Sequence, residues 1–164
     1  MVLYCLTFTG KESQAAVSAL EGLIKEIGQE QVIEKVAYTW FNRFCALRFM
    51  DANHYNKIGI VSPAEGQTQP EILAEAKMNY IDENIVSAQN ATKIRNLLNG
   101  AMTSSDPQSD AYKLLLVSYC NSLNKQLPFM FERINDYTEL LMPDDLLSTN
   151  SVLSQTVAVL DKET

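Results

Sequence analysis

The sequence predicts an all-α fold, a helical bundle of about six to eight helices. Apolar residues recur at three- and four-residue spacing through most of the 164 residues, which is the periodicity of amphipathic helices. Prolines, glycines and short polar residues stand between these stretches, where helices begin and end. A loop-rich segment near 53–69 interrupts the pattern, and we expect either one bundle or two packed sub-bundles on its two sides.

The first predicted helix begins after Thr9 and ends at Gly28. Thr9 and Glu12 have the spacing of a capping box, in which two side chains bind free amides of the first turn. Apolar residues follow on one face, at Val17, Leu20, Ile24 and Ile27. Residues 1–9 are apolar but too short to span a bilayer. We interpret them as a short N-terminal segment, either a strand or an artificial start of the chain, before a single helical domain over 10–164.

The second predicted helix runs from Gln29 to Ala52 and is apolar on nearly every side. Such a helix is typical of the buried centre of a bundle, and Trp40 is expected in its core. Arg43 and Arg48 stand out there, because a buried guanidinium needs an acceptor. Within the chain the candidate partners of the two arginines are Asp51, Asp136 and Glu139. The alternatives are a neighbouring domain or DNA.

The remaining elements follow from start and stop signals. Pro70 with Glu71, and Asp106 with Pro107, favour helix starts, and Gly100 favours a stop. Five further helical stretches are predicted, over about 70–80, 90–99, 111–127, part of 129–141, and 151–160. Pro143, Asp144 and Asp145 open a turn or a short helix, and we favour this structural role over magnesium binding.

The sequence lacks the motifs of a methyltransferase catalytic centre. Such a centre combines a glycine-rich turn after a strand with an Asn/Asp-Pro-Pro-aromatic motif, and no two prolines are adjacent here. Cys5, Cys45 and Cys120 are widely spaced, and His54 is the one histidine, which argues against structural zinc. A lone histidine in a polar stretch is typical of a surface loop. We therefore predict no catalytic, cofactor-binding or metal-binding residue in this chain.

The charge balance also limits the function. Thirteen basic residues oppose twenty acidic ones, a net charge of −7, which disfavours free-standing nucleic-acid binding. Lys93 and Arg95 join Arg43 and Arg48 as candidate contacts to a partner or to DNA. The longest apolar stretch, over 32–50, contains four charged residues and is not a membrane span. Widely spaced cysteines in apolar runs indicate a reduced, cytoplasmic protein.

Several strings resemble the amino-terminal part of the PglX family, the adenine-specific DNA methyltransferases of BREX phage-exclusion systems. The longest is VAYTWFNRFCALRFMD at 36–51, and the last is DYTELLMPDDLL at 136–147. Shorter strings lie between them, SPAEG at 62–66, PEIL at 70–73, AYKLLLV at 111–117 and LPFMFE at 127–132. The resemblance covers most of the chain from about residue 10 onward.

This resemblance implies an enzyme that uses S-adenosylmethionine to methylate adenine in host DNA. Family members are several times longer, and their catalytic motifs lie beyond anything present here. We therefore expect a fragment that serves as an N-terminal scaffold and interaction domain. Its partners would be the methyltransferase domain and other BREX components, with DNA engaged only through the full enzyme. The alternatives are a DNA-engaging module of the same enzyme and a separately encoded regulator.

Overall fold

Seven helices and no strand make up the described part of the chain, residues 11–132 and 137–160 of a computed structural model. In chain order they are α1 (Lys11–Ile27), α2 (Gln29–Ala52), α3 (Glu71–Lys77), α4 (Ala88–Leu98), α5 (Pro107–Leu123), α6 (Tyr137–Leu140) and α7 (Val152–Leu160). The all-α prediction of about six to eight helices is confirmed. The predicted segment 1–9 and the capping residue Thr9 lie outside the described residues.

The hairpin of α1 and α2 follows the prediction closely. Gly28 separates the two helices with a φ of 88°. Glycine adopts this left-handed conformation without steric cost, which is why the chain can turn within one residue. The predicted bounds of α2, Gln29–Ala52, are those observed.

The prediction that α2 is buried on nearly every side is wrong. One face is buried, through Val32, Val36, Trp40, Arg43, Phe44 and Leu47. Large apolar side chains on other faces are exposed, among them Ile33, Tyr38, Phe41 and Phe49. Because apolar residues occur all around α2, the sequence does not indicate which side is buried. In the structure the neighbouring helices α1 and α7 cover only one side.

The observed bounds of three helices differ from prediction, and the differences in α3 and α4 have a local cause. The helix α3 stops at Lys77, short of residue 80, because Asn79 takes a φ of 67° and the amides of Asn79 and Tyr80 close a Schellman motif. The helix α4 begins earlier than residue 90, since the Ser87 hydroxyl caps the Asn90 amide. The helix α5 begins at Pro107, directly after the capping Asp106, as the start signal indicated, and it ends at Leu123, four residues before the predicted end.

The segment around Pro143 forms a turn, one of the two predicted alternatives. The Asp145 carboxylate accepts hydrogen bonds from the main-chain N–H and the hydroxyl of Ser148, which lower the pKa of this exposed carboxyl. Asp144 forms an ion pair with Lys113 of α5, with 3.6 Å between Nζ and Oδ1. Both carboxylates thus have structural contacts, and the next helix begins only at Val152.

The helices pack in two groups. In the first, α1 contacts α2 and α6, and α2 contacts α7; in the second, α5 contacts α4 and α3, which also contact each other. One apolar core includes buried residues of both groups, such as Trp40 and Leu116. The loop between α2 and α3 contacts the second group, because the Tyr112 hydroxyl of α5 donates to the carbonyl of Ile60 at 3.0 Å. That residues 10–164 form a single domain stays a prediction.

Candidate interaction surfaces of the second helix

Trp40 anchors α2 in the core. Its exposed fraction is 1%, and its indole Nε1 donates to the main-chain oxygen of Thr138 at 2.9 Å, which satisfies the buried N–H. The ring of Phe44 packs beside it with 5.8 Å between ring centroids. The predicted core role of Trp40 is confirmed, and the indole also ties α2 to α6.

Arg43 is an internal residue with an exposed fraction of 3%. Its Nη2 donates to the main-chain oxygen of Glu132 at 3.1 Å, and its guanidinium carbon lies 5.1 Å from the Trp40 ring centroid, a cation–π contact. A main-chain carbonyl thus supplies an acceptor that is not among the three carboxylates expected as partners within the chain. Asp136, one of the expected partners, lies outside the described residues, and Glu139 lies exposed on α6.

Asp51, another expected arginine partner, anchors the loop that follows α2. Its Oδ1 accepts from the Asn56 amide at 2.6 Å and the Ile60 N–H at 3.1 Å. Its Oδ2 accepts from the main-chain N–H groups of Val61 and Ser62 at 2.9 and 3.0 Å. Arg48 contacts the same loop, donating from Nη1 to the Ser62 hydroxyl at 2.8 Å. Sequence reasoning missed this role, although a carboxylate that ends an apolar helix before a glycine-containing loop is a usable signal.

The same loop is fastened to α3 through Gly59. The Gly59 N–H donates to Glu71 Oε2 at 2.7 Å, and the Gly59 carbonyl accepts from the Ile72 N–H at 3.0 Å. A side chain at Gly59 would place its Cβ 2.3 Å from the carbonyl oxygen of Ser62, so the turn requires glycine. The loop is therefore hydrogen-bonded both to Asp51 of α2 and to Glu71 and Ile72 of α3.

Two tyrosines of α5 complete the loop network. Tyr119 donates to Asn56 Oδ1 at 2.6 Å, as Tyr112 donates to Ile60. Burial, with a smaller effect from the Asp51 charge, raises the pKa of Tyr119 to about 12 and that of Tyr112 well above its usual range. Both hydroxyls donate hydrogen bonds to the loop and thereby connect it to α5.

The four predicted contact residues do not gather on one surface. Arg43 and Arg48 are five positions apart on α2, about 140° around the helix axis. Lys93 is exposed on α4. Arg95 is held by the preceding loop, through a hydrogen bond from Nε to Asn79 Oδ1 at 2.8 Å and an ion pair with Glu83 at 3.8 Å. Contact of these residues with DNA or a partner stays a prediction.

The outer side of α2 carries an exposed aromatic surface. It consists of Tyr38, Phe41, Cys45 and Phe49 of the helix and Tyr55 of the following turn, and we call it the aromatic face. Its aromatic residues are 69%, 50%, 59% and 67% exposed in chain order, and Cys45 is partly buried. The rings of Phe49 and Tyr55 meet edge to face with 6.0 Å between centroids. Burial raises the pKa of the Cys45 thiol.

Other features of the described residues carry no evident chemistry. A cleft of about 460 Å³ lies between the α2–α3 loop, the α3–α4 connection and α5, and its lining is largely apolar. No group of three potential metal ligands occurs within residues 11–132 and 137–160. None of the helices in these ranges is long and apolar enough to cross a membrane. His54 is exposed in the turn after α2, which confirms its expected surface position.

Comparison with known proteins finds two adenine-specific methyltransferases, while no protein-family model matches. The chain is 34% identical over 131 residues to the adenine-specific methyltransferase BrxX of Escherichia coli O9:H4 (strain HS), a match that covers 79% of the chain. It is 33% identical over 147 residues to the adenine-specific methyltransferase PglX of Lacticaseibacillus casei (strain Zhang), over 83% of the chain. The chain spans only 10% and 12% of the lengths of these relatives. Its resemblance to the N-terminal region of the PglX-type adenine-specific methyltransferases, which the sequence indicated, is therefore confirmed.

Proposed function

We propose that this chain is the N-terminal helical scaffold and interaction domain of an adenine-specific DNA methyltransferase of a BREX-type phage-defence system. It is non-catalytic in isolation and works in the cytoplasm. The methyltransferase domain of the same enzyme and other BREX components are its partners, and DNA is engaged only through the full enzyme. S-adenosylmethionine is the cofactor of that enzyme and binds outside this chain.

One observation carries this proposal. In the longest string of family resemblance, at 36–51, the side chains of Trp40, Arg43 and Asp51 make internal structural contacts. Trp40 and Arg43 hold the segments around Thr138 and Glu132, and Asp51 holds the following loop. Residues that react or read DNA bases must instead present their polar groups to an incoming molecule. The arrangement suits a domain whose task is to keep its own shape and support a neighbour.

The E. coli relative provides the direct experiment. Its matched N-terminal region is first deleted and then replaced by this chain, and adenine methylation and thermal unfolding are measured for each protein. We expect deletion to lower both methylation and the unfolding temperature, and replacement to restore at least part of each. A deletion variant with unchanged methylation and stability would overturn the scaffold role.

The isolated chain supplies the second test. Calorimetric titration with S-adenosylmethionine should show no binding, because the glycine-rich turn and the Asn/Asp-Pro-Pro-aromatic motif are absent. Micromolar affinity would contradict the assignment of cofactor binding to the rest of the enzyme.

A further inference from the structure

The aromatic face has the geometry of a helix surface that packs against another element. Tyr38, Phe41, Cys45 and Phe49 follow each other at intervals of three, four and four residues, which aligns them along one side of α2. That side lies about 180° around the helix axis from the core-facing residues such as Trp40. The helix therefore has two apolar sides, one buried in this bundle and one turned outward.

The charge distribution indicates what kind of partner would cover this face. No residue of the aromatic face is charged, although the chain carries a net charge of −7. Arg48 borders the face, but its Nη1 is directed at the Ser62 hydroxyl. Nucleic acid binds through lysine and arginine neutralising its phosphates, and the face itself offers neither. An apolar protein surface fits it better.

The size of the face favours a tethered partner over a second copy of the chain. Four aromatic side chains that are half to two-thirds exposed present roughly 500 Å² of surface. A stable dimer usually buries about 800 Å² on each partner, so the face alone is small for free association. A covalent tether raises the effective concentration to about the millimolar range, which makes a contact of this size sufficient.

The relatives provide such a tethered partner, since nearly nine-tenths of their length lies outside the region that this chain matches. We propose that the aromatic face of α2 docks against an apolar surface of the remaining methyltransferase polypeptide. This inference rests on the proposed function and identifies the surface through which the domain supports the enzyme.

Cys45 is a built-in reporter for docking, because it lies in the middle of the face while Cys120 is buried. The probe is a small maleimide at about pH 8, with labelling of Cys45 followed by mass spectrometry of its peptide. The isolated chain is compared with the E. coli relative that carries this chain as its N-terminal region. We expect labelling of Cys45 to be at least tenfold slower in the replacement enzyme.

The variant that tests the face is the double substitution Phe41→Glu and Phe49→Glu. Both side chains are at least half exposed, so the isolated chain should keep its helical circular dichroism. When the E. coli relative carries the doubly substituted chain, its Cys45 should be labelled as fast as Cys45 of the isolated chain with the same substitutions. The thermal stability of this enzyme should also fall. The matched control is Phe129→Glu, at a phenylalanine that is 80% exposed outside the face, and it should leave both properties unchanged.

The outcomes separate the two proposals. A replacement enzyme that methylates DNA while Cys45 labels as fast as in the isolated chain would overturn the docking face and leave the scaffold function standing. An enzyme that neither methylates nor protects Cys45 would overturn both. Two further results would overturn the inference by assigning the face to another occupant. One is a dimer of the isolated chain that dissociates when Phe41→Glu and Phe49→Glu are introduced. The other is faster labelling of Cys45 after residues 1–10 are removed.

Discussion

Replacement of Asp51 by alanine is expected to destabilise the chain by roughly 3–5 kcal/mol, because the carboxylate organises a whole loop. The substitution removes the acceptor of three main-chain N–H groups and one amide, those of Ile60, Val61, Ser62 and Asn56. Each buried donor left without an acceptor costs about 1–3 kcal/mol. Four such donors would cost about 4–12 kcal/mol in total if they were fully buried. Water can reach part of this site, since the bonds are only partly buried, and we therefore expect a loss near the lower end of that range.

Urea denaturation of the purified chain, followed by circular dichroism, measures this loss. Asp51→Asn keeps one acceptor oxygen but faces the second pair of donors with an NH₂ group, so it should cost about half as much as the alanine variant. The matched control is Asp82→Ala, because Asp82 also accepts from a main-chain N–H, that of Asn84 at 2.9 Å, but in an exposed turn. Its expected cost is below about 1 kcal/mol. A loss below 1 kcal/mol for Asp51→Ala would refute the argument that the carboxylate holds the loop.

Three further predictions follow from burial and charge. Trp40→Ala should cost about 3–5 kcal/mol in a denaturant melt, whereas Tyr38→Ala on the exposed side should cost under 1 kcal/mol; equal losses would mean that the orientation of α2 is wrong. Burial raises the pKa of Cys120 to about 12 from its ordinary 9.0, so its contribution to stability, full below pH 9, should decline as pH rises from 9 towards 12. Denaturant melts at a series of pH values should show a smaller loss of stability with pH for Cys120→Ala than for the unsubstituted chain. An equal loss in both proteins would exclude the thiol as its source. The isolated chain should bind a labelled DNA duplex with a Kd of roughly 10⁻⁴ M or weaker at about 0.15 M salt. Sub-micromolar binding in a fluorescence-anisotropy titration would instead favour the DNA-engaging alternative. Arg48, Lys93 and Arg95 would then be mutated first, because Arg43 is internal.

Helices with strong local signals were predictable from the sequence. The bounds of α2 and the stop at Gly28 follow from apolar periodicity and from glycine's access to positive φ. The start of α5 follows from Asp106 and Pro107, whose cap and fixed φ act within one turn. The end of α3 was less predictable, because it depends on Asn79 adopting a left-handed conformation that asparagine tolerates but does not require.

The residues of the candidate site were predictable in kind but not in role. The buried position of Trp40 agrees with the rule that large aromatic side chains favour the core, but the same rule fails for Phe41 and Phe49 of the same helix, which are exposed. The partner of Arg43 could not be read from the chain, because a main-chain carbonyl of a distant segment supplies it and every residue offers such a group. The role of Asp51 was signalled only by its place at the end of an apolar helix before a glycine-containing loop, because its donors are mostly main-chain N–H groups of that loop.

The sequence by itself determined that this protein is helical, where its main helices begin, and that it resembles one part of a PglX-type methyltransferase. Those properties depend on periodicity, capping residues and strings of side chains, all of which are local. Only the tertiary structure decided which side of α2 is buried. Because the helix is apolar all around, its own side chains favour no direction of burial. The neighbouring helices α1 and α7 pack against the side that carries Trp40, and the side that carries Phe41 stays exposed.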